Sequence, residues 1–153
     1  MSPASPPDAA GWRALARAAE RARRRSYAPY SHYQVGAALL TTRGLVVGCN
    51  VENASYPLCI CAEGAAVTRA VCDGATRWRA LAIATPGPAA GSPCGACRQI
   101  LAEFRLDLPI ALVVGGRILD IVNLKDLLPL AFTPADLHAH QKDVRHRGNK
   151  GVL

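Results

Sequence analysis

The sequence predicts an α/β fold in which helices cover both faces of one mixed sheet. Short apolar segments of strand length alternate with longer segments whose apolar residues recur every three or four positions. This alternation of helices and strands is typical of a layered α/β domain. Half of the 153 residues are hydrophobic, and a chain of this length buries enough apolar surface for one such domain.

The individual elements follow from local patterns. Apolar residues at helical spacing from Trp12 to Ala22, with arginines on the opposite side, predict the first helix. Breaks that contain glycine or proline separate the later elements. We expect a disordered lead-in (1–10), a single catalytic domain (11–137) and a basic, flexible tail (138–153). Within the domain, the expected elements in chain order are a helix (11–25), two strands (35–42 and 45–51), a loop (53–60), a helix (61–73), a strand (81–85), a loop (86–93), a helix opening at Cys94, two strands (109–114 and 118–122) and a helical turn (124–128).

The net charge of +7 is concentrated at the two ends of the chain. Residues 1–26 hold six arginines against two acidic residues, and residues 138–153 hold four basic residues against one. Residues 27–137 hold eight of each sign and are neutral. Because a protein that follows a phosphate backbone needs basic residues on its folded surface, we expect no nucleic-acid partner.

The six cysteines are expected to be metal ligands or small buried thiols rather than disulfides. No apolar run reaches the length of a membrane-spanning helix, and the N-terminal residues lack the apolar core of a signal peptide. Disulfides are rare in proteins that stay in the cytosol. The sequence therefore predicts a cytoplasmic protein with no membrane contact.

Two short motifs carry the candidate chemistry, Cys61-Ala62-Glu63 and Pro93-Cys94-Gly95-Ala96-Cys97. Three thiolates bind zinc tetrahedrally and leave one position open, as in catalytic zinc sites. A carboxylate two residues from one ligand is free to move protons. This combination is the signature of zinc nucleobase deaminases, so we predict a zinc-dependent deaminase with Glu63 as the proton carrier.

One alternative for the cysteines is a closed structural site. Cys59 and Cys61 together with the later cysteine pair would give four thiolates around zinc, a set that leaves no position for water and has no use for Glu63. Otherwise Cys49, Cys59 and Cys72 are expected to be small buried residues.

Five segments resemble the small, homotetrameric, three-cysteine type of cytidine deaminase. The segments run from Tyr30 to Leu40, from Gly48 to Pro57, from Cys61 to Glu63, from Ser92 to Gln99 and from Leu127 to Phe132, and the similarity extends over roughly residues 12–137. The resemblance implies a three-layer α/β/α sandwich around a five-stranded mixed sheet. It also implies one zinc ion per subunit, a pyrimidine nucleoside as substrate and active sites shared between the subunits of a homotetramer.

The resemblance also assigns roles to single residues. It implies that Cys61, Cys94 and Cys97 are the zinc ligands and that Glu63 is the proton shuttle. It implies that Asn50 and Glu52 bind the ribose 3′-hydroxyl, that the backbone of Ala62 contacts the pyrimidine, and that Tyr33 lies beside the base in place of the usual Phe. Tyr56 and Phe132 are implied to contact substrate across subunit interfaces. Read without the resemblance, Asn50 and Glu52 are also suited to turns, and the aromatic pair is also suited to the core.

One position departs from the family pattern. Many members carry an Arg directly after Cys-Ala-Glu that offsets the negative charge of the thiolates, whereas this chain has Gly64. Arg98 is the nearest cation in sequence that could replace it.

The expected reaction is the hydrolytic deamination of cytidine and deoxycytidine in pyrimidine salvage. The alternatives are a deaminase of a related aminopyrimidine nucleoside, such as a nucleoside antibiotic, a polynucleotide deaminase, and a non-catalytic module stabilised by zinc. The neutral central segment argues against the polynucleotide.

Overall fold

The structure, a computed structural model, describes residues 5–138. The predicted lead-in falls partly, and the predicted tail almost wholly, outside the described residues. In chain order the elements are α1 (Ala9–Arg23), β1 (Gly36–Thr41), β2 (Gly44–Cys49), a short 3₁₀ turn (Tyr56–Leu58), α2 (Ala62–Cys72), β3 (Trp78–Ala84), α3 (Gly95–Ala102), β4 (Pro109–Val114), β5 (Arg117–Asn123) and α4 (Leu124–Leu127).

The strands form one five-stranded mixed sheet in the order β2-β1-β3-β4-β5. β1 lies antiparallel to both of its neighbours, β3 and β4 are parallel, and β4 and β5 form an antiparallel hairpin. The parallel pair requires a crossover, which α3 provides. The predicted mixed sheet of an α/β fold is confirmed.

Helices lie on both faces of the sheet because the central strands alternate between two kinds of apolar residue. The larger side chains, such as Leu81 and Ile83 of β3, pack with residues of α2, α3 and α4. The alanines between them, such as Ala82, pack against α1. Successive residues of a strand point to opposite faces, so this alternation builds two separate cores and three layers.

Glycines let two helices approach the sheet closely. A Cβ atom on Gly48 of β2 would lie only 2.5 Å from the carbonyl oxygen of Ala62 and the amide nitrogen of Ala66, both in α2. On the opposite face, a Cβ on Gly36 of β1 would collide with the backbone of α1 at Ala19 and Arg23. The first turn of α2 is therefore set by direct contact between helix and strand backbones.

Helix α1 and strand β3 each begin earlier than expected, for local reasons. Helix α1 begins at Ala9 rather than at residue 11, because Asp8 caps it by accepting a hydrogen bond of 2.8 Å from the Gly11 N–H. Strand β3 begins at Trp78 rather than at residue 81. The indole of Trp78 is buried, donates to the Ala75 carbonyl at 2.8 Å and stacks on Phe104.

None of the helices in residues 5–138 is both long and apolar enough to cross a membrane. The division of the chain into a lead-in, a catalytic domain (11–137) and a tail stays a prediction.

Candidate active site

Three cysteines lie at the N-terminal ends of α2 and α3. Cys61 is the N-cap residue of α2, and Cys94 is the N-cap residue of α3. Cys97 lies in the first turn of α3 and is buried. The unpaired N–H groups and the dipole of a helix N-terminus favour a thiolate over a thiol. Both helices therefore favour the form of cysteine that binds metal.

The three sulfur atoms are close enough to share one ion. All three lie within 4.8 Å of one another, and the Sγ atoms of Cys61 and Cys94 are 3.9 Å apart. Zinc–sulfur bonds of about 2.3 Å in a tetrahedron place the sulfurs about 3.8 Å apart. The donor set therefore fits zinc with three protein ligands, which leaves a fourth position open.

Cys59 does not belong to this group. Among the described residues, the cluster able to hold a metal ion consists of the other three cysteines. The sulfur of Cys59 instead accepts a hydrogen bond of 3.3 Å from the Asn53 N–H. The closed site with four thiolates is therefore not formed. Cys59 and Cys72 are exposed, so the expectation that they are buried is wrong.

Thiols within the cluster influence one another. The Cys97 thiol stabilises the Cys61 thiolate by a hydrogen bond and lowers the pKa of Cys61 to about 6. The same interaction raises the pKa of Cys97. The two thiols therefore lose their protons as a coupled pair.

Glu63 lies in the first turn of α2 and is 4% exposed. Burial disfavours its charged form and raises its pKa, although its own backbone N–H and the Cys97 thiol partly oppose this effect. A carboxyl group whose pKa is raised toward neutrality is suited to accept and release a proton.

A cavity of about 270 Å³ opens beside the cysteines and Glu63. Its walls come from the segment before β1, the segment between β2 and α2, the start of α2, the end of β3 and the loop between β3 and α3. The lining residues are Ser31, Tyr33, Val35, Asn50, Val51, Glu52, Cys59, Ile60, Cys61, Ala62, Glu63, Ile83, Thr85, Gly91, Ser92 and Cys94.

Glu52 and Asn50 hold the segment before β1 in place. The Glu52 carboxylate accepts hydrogen bonds from the Ser31 hydroxyl and from the N–H groups of Tyr30 and Ser31, and the Ser31 hydroxyl is the main cause of its lowered pKa. The Asn50 side chain accepts from the Val35 N–H at 2.8 Å and donates to the Tyr33 carbonyl at 2.9 Å. Both side chains therefore shape the cavity wall through the loop that they hold.

Comparison with known proteins agrees with this geometry. The family model described as "Cytidine and deoxycytidylate deaminase zinc-binding region" matches residues 12–112, which is more than half of the chain.

This chain belongs to that deaminase family.

Relatives in the family match most of the length of this chain. The cytidine deaminase of Sporosarcina psychrophila is 43% identical over 122 residues, which cover 77% of this chain and 88% of the relative. That of Mycobacterium tuberculosis is 44% identical over 128 residues, which cover 82% and 92%. A crystal structure of cytidine deaminase from Burkholderia pseudomallei matches with a TM-score of 0.74 at 43% identity and covers 78% of this chain and 97% of that one.

The family description and the cysteine geometry agree on the cofactor of this deaminase-family chain. The matched region is a zinc-binding one, and it includes all three clustered cysteines. The cofactor is one zinc ion per subunit. The three-layer sandwich predicted by resemblance is likewise confirmed by the solved deaminase structures.

Two predicted substrate contacts lie away from the cavity of their own subunit. The structure places Tyr33, Asn50, Glu52 and Ala62 in the cavity wall, whereas Tyr56 and Phe132 do not line it. Tyr56 is 67% exposed and Phe132 is 60% exposed. Neither aromatic residue is part of the core, so the alternative of a core role is wrong.

Arg98 does not take the place of the missing arginine. Its guanidinium donates to the Pro93 carbonyl, the Ser92 hydroxyl and the Leu127 carbonyl at 2.8 to 3.1 Å. Arg98 therefore connects the two residues before Cys94 with the last residue of α4. The suggestion that Arg98 covers the thiolates is not supported, because its hydrogen bonds go to these oxygens.

Several cavity residues escaped the sequence analysis. Ser31, Thr85, Gly91 and Ser92 line the cavity, yet none carries a charge or a metal-ligand pattern. Ser31 and Ser92 lie inside segments that resemble the family, and this was the signal that could have found them. Thr85 and Gly91 lie in the stretch between β3 and Cys94, where only the fold shows which residues face inward.

Proposed function

We infer that this protein catalyses the zinc-dependent hydrolytic deamination of cytidine and deoxycytidine, which yields uridine or deoxyuridine and ammonia. The observation that carries this inference is the buried Glu63 near a cluster of three cysteines, at a cavity whose wall includes Glu63, Cys61 and Cys94. Relatives named cytidine deaminase, matched over most of their length, support the same substrates. We propose that the reaction serves pyrimidine salvage in the cytoplasm, where its six unpaired cysteines are in keeping with a reducing environment.

The zinc, when bound by Cys61, Cys94 and Cys97, supplies a Lewis acid that makes water a better nucleophile near neutral pH. Glu63 accepts a proton from the attacking water and delivers it to N3 of the pyrimidine ring. It then assists the departure of the amino group as ammonia. These transfers require a carboxyl group that is protonated and deprotonated with little cost, which the burial of Glu63 favours.

We propose that Asn50 and Glu52 bind the ribose 3′-hydroxyl, while Tyr33 and the backbone of Ala62 contact the base. All four residues line the cavity. An amide oxygen accepts two hydrogen bonds, an amide nitrogen donates two, and a carboxylate accepts about four. Asn50 and Glu52 therefore retain hydrogen-bonding capacity for a sugar beyond their bonds to the loop.

We propose that four copies of the chain form a homotetramer in which Tyr56 and Phe132 contribute to sites of neighbouring subunits. Exposed apolar side chains support this proposal. Leu130, near Phe132, is 94% exposed, and Leu58 beside Tyr56 is also exposed. Gln99 of α3 holds Phe132 by pairing with its backbone carbonyl at 2.7 Å and its N–H at 3.3 Å. The aromatic ring is thus presented outward from a fixed backbone.

The test is ammonia release from cytidine by the purified, zinc-loaded protein beside Glu63→Gln. Glutamine keeps the shape of the side chain but cannot carry the proton, so we expect turnover to fall at least about 10²-fold while zinc content and thermal stability are retained. Absence of turnover by the zinc-loaded parent would favour the non-catalytic module. Equal turnover by both proteins would remove Glu63 from the chemistry.

A further inference from the structure

Tyr33 and Gly91 meet across the cavity. Tyr33 belongs to the segment before β1, and Gly91 belongs to the loop between β3 and α3. A Cβ atom on Gly91 would lie 2.9 Å from the Tyr33 hydroxyl oxygen and 3.1 Å from the Thr85 methyl group. Gly91 is not among the glycines with positive φ, so its backbone conformation does not require glycine. The requirement at this position is space.

The backbone of Tyr33 is held from two sides. Its N–H donates to the Ser31 hydroxyl at 3.0 Å, and its carbonyl accepts from the Asn50 side chain at 2.9 Å. Ser31 is itself hydrogen-bonded to Glu52, so the backbone that carries the phenol ring is held at the cavity wall. These hydrogen bonds fix the backbone of Tyr33, and the residue, which is 46% exposed, lies in the cavity wall.

The hydroxyl of Tyr33 has no hydrogen-bond partner within residues 5–138. The neighbouring Thr85 hydroxyl accepts a hydrogen bond from the Gly91 N–H at 2.9 Å and forms none with Tyr33. A phenolic hydroxyl in a cavity wall both donates and accepts, and an unused one is available to a bound molecule.

We propose that Tyr33 is a specificity-determining residue whose hydroxyl hydrogen-bonds the pyrimidine base, and that Gly91 keeps the place of that hydroxyl open. The inference rests on the proposed function and adds a contact to it. The hydroxyl lies against Gly91, in the loop that leads to Cys94, and Tyr33, Gly91 and Cys94 line the same cavity. The side chains proposed to bind ribose belong to a different wall, formed after β2.

The first experiment compares the steady-state kinetics of the zinc-loaded parent with Tyr33→Phe. Loss of one neutral hydrogen bond should raise the KM for cytidine about 3- to 10-fold and leave kcat within about twofold. Tyr27→Phe is the matched control, because it removes the same atom from an exposed tyrosine that does not line the cavity. A KM for Tyr33→Phe within twofold of the parent would overturn the proposal.

Comparison of cytidine with 2′-deoxycytidine tests whether the contact involves the ribose 2′-hydroxyl. If the hydroxyl binds the base, Tyr33→Phe should raise the KM for 2′-deoxycytidine by the same factor as the KM for cytidine. An effect confined to cytidine would place the contact at the ribose 2′-hydroxyl and overturn the assignment to the base.

The second experiment tests the steric role of Gly91. Gly91→Ala should raise the KM about tenfold or more and lower the Tm, because the new methyl group collides with the Tyr33 hydroxyl. Combining Gly91→Ala with Tyr33→Phe removes the colliding oxygen, so the double variant should recover most of the lost Tm and have a KM no higher than that of Tyr33→Phe. A double variant with a Tm no higher than that of Gly91→Ala would overturn the pairing.

The two levels of inference fail in different ways. If the parent is active and Tyr33→Phe has the KM of the parent, only the role of the hydroxyl is overturned. If the zinc-loaded parent is inactive, the proposed function is overturned together with that role. The Tm of Gly91→Ala, compared with the Tm of its combination with Tyr33→Phe, still tests the steric contact.

Discussion

Gly64 leaves space beside the metal site that a larger residue could fill. A Cβ atom at this position would meet only the side chain of Ile60, at 4.0 Å. Three thiolates around a dication leave a formal charge of −1, which opposes ionisation of water at the metal. The resemblance leads one to expect an arginine here, and the structure places no obstacle to the start of its side chain.

We therefore expect Gly64→Arg to retain or raise turnover at pH 7 and to shift the acidic limb of the pH–rate profile toward lower pH. The added cation would offset the thiolate charge, and arginine is a better helix former than glycine by up to about 1 kcal/mol. Gly64→Ala separates the two effects, since it improves the helix without adding charge. A Gly64→Arg protein much slower than Gly64→Ala at neutral pH would contradict the electrostatic argument.

The charged carboxylate of Glu52 helps to hold the segment before β1 in place. Its pKa is lowered by the Ser31 hydroxyl and by the N–H groups of Tyr30 and Ser31. A carboxylate whose pKa is lower in the folded state adds stability above its unfolded pKa, and this stability is lost as the pH falls through the folded value.

The difference in the free energy of unfolding between the parent and Glu52→Gln should accordingly be constant from neutral pH down to about pH 5 and shrink as the pH falls further, through the lowered pKa of Glu52. Urea unfolding at several pH values measures this difference. Both proteins lose zinc as the thiolates become protonated, so the comparison between them removes that contribution. A difference that does not change with pH would show that the carboxylate bonds add no stability.

At the scale of elements, the metal site depends on how closely α2 lies on the edge of the sheet. Helix α2 carries Cys61 at its cap and Glu63 in its first turn. The contact of Gly48 with the backbone of Ala62 and Ala66 lies at the same end of this helix. A change in this contact would move the ligand and the proton carrier together relative to α3.

Gly48→Ala should lower the free energy of unfolding by about 1–3 kcal/mol and weaken zinc binding, because the added methyl group pushes the first turn of α2 away from β2. Gly36→Ala provides the matched comparison. It collides with α1 on the opposite face, so we expect a stability loss of similar size with zinc affinity kept within about twofold. Chelator competition and urea unfolding give the two quantities. Equal zinc affinities in the two variants would contradict a positioning role for Gly48.

Arg98 shows a further dependence of the site on neighbouring elements. The side chain connects the segment before Cys94 to the carbonyl of Leu127 at the end of α4. Its neighbour Gln99 holds the backbone of Phe132. Two adjacent residues of α3 thus connect a metal-ligand helix to the C-terminal part of the described chain.

At the scale of the whole molecule, the cavity and the exposed aromatic residues belong to different parts of one surface. The cavity wall includes two of the proposed metal ligands, Cys61 and Cys94, and the proposed ribose contacts, whereas Phe132 does not line it. If Phe132 completes the site of a neighbouring subunit, an isolated chain has an incomplete site.

Subunit mixing tests this arrangement. We expect Phe132→Ala to form a tetramer with a raised KM and Glu63→Gln to form an inactive one. When the two are mixed and reassembled, the intact Glu63 of one chain should meet the intact Phe132 of the other, and a fraction of sites should recover the parental KM. Light scattering supplies the mass for comparison with the 16.1 kDa chain. A monomeric parent, or mixtures with no recovered sites, would contradict shared sites.

The sequence alone determined the fold class, the order of the elements and the zinc chemistry of this protein. Strand and helix periodicity are local properties, and they survive folding because each face must bury its own apolar residues. The Cys-Ala-Glu and Cys-x-x-Cys motifs are also local, since a helix N-terminus places residues one turn apart near a single point. The family follows from these motifs in their order along the chain.

Only the tertiary structure decided which residues surround the metal site and which do not. Cys59 lies two residues from a ligand in sequence, yet its sulfur faces Asn53, and Arg98 faces carbonyl groups rather than thiolates. The approach of Tyr33 to Gly91 joins residues 58 positions apart, and no local pattern reports such a distance. These outcomes depend on the register of the sheet and the docking of helices on it, because side-chain neighbours across a cavity are set by packing and not by spacing along the chain.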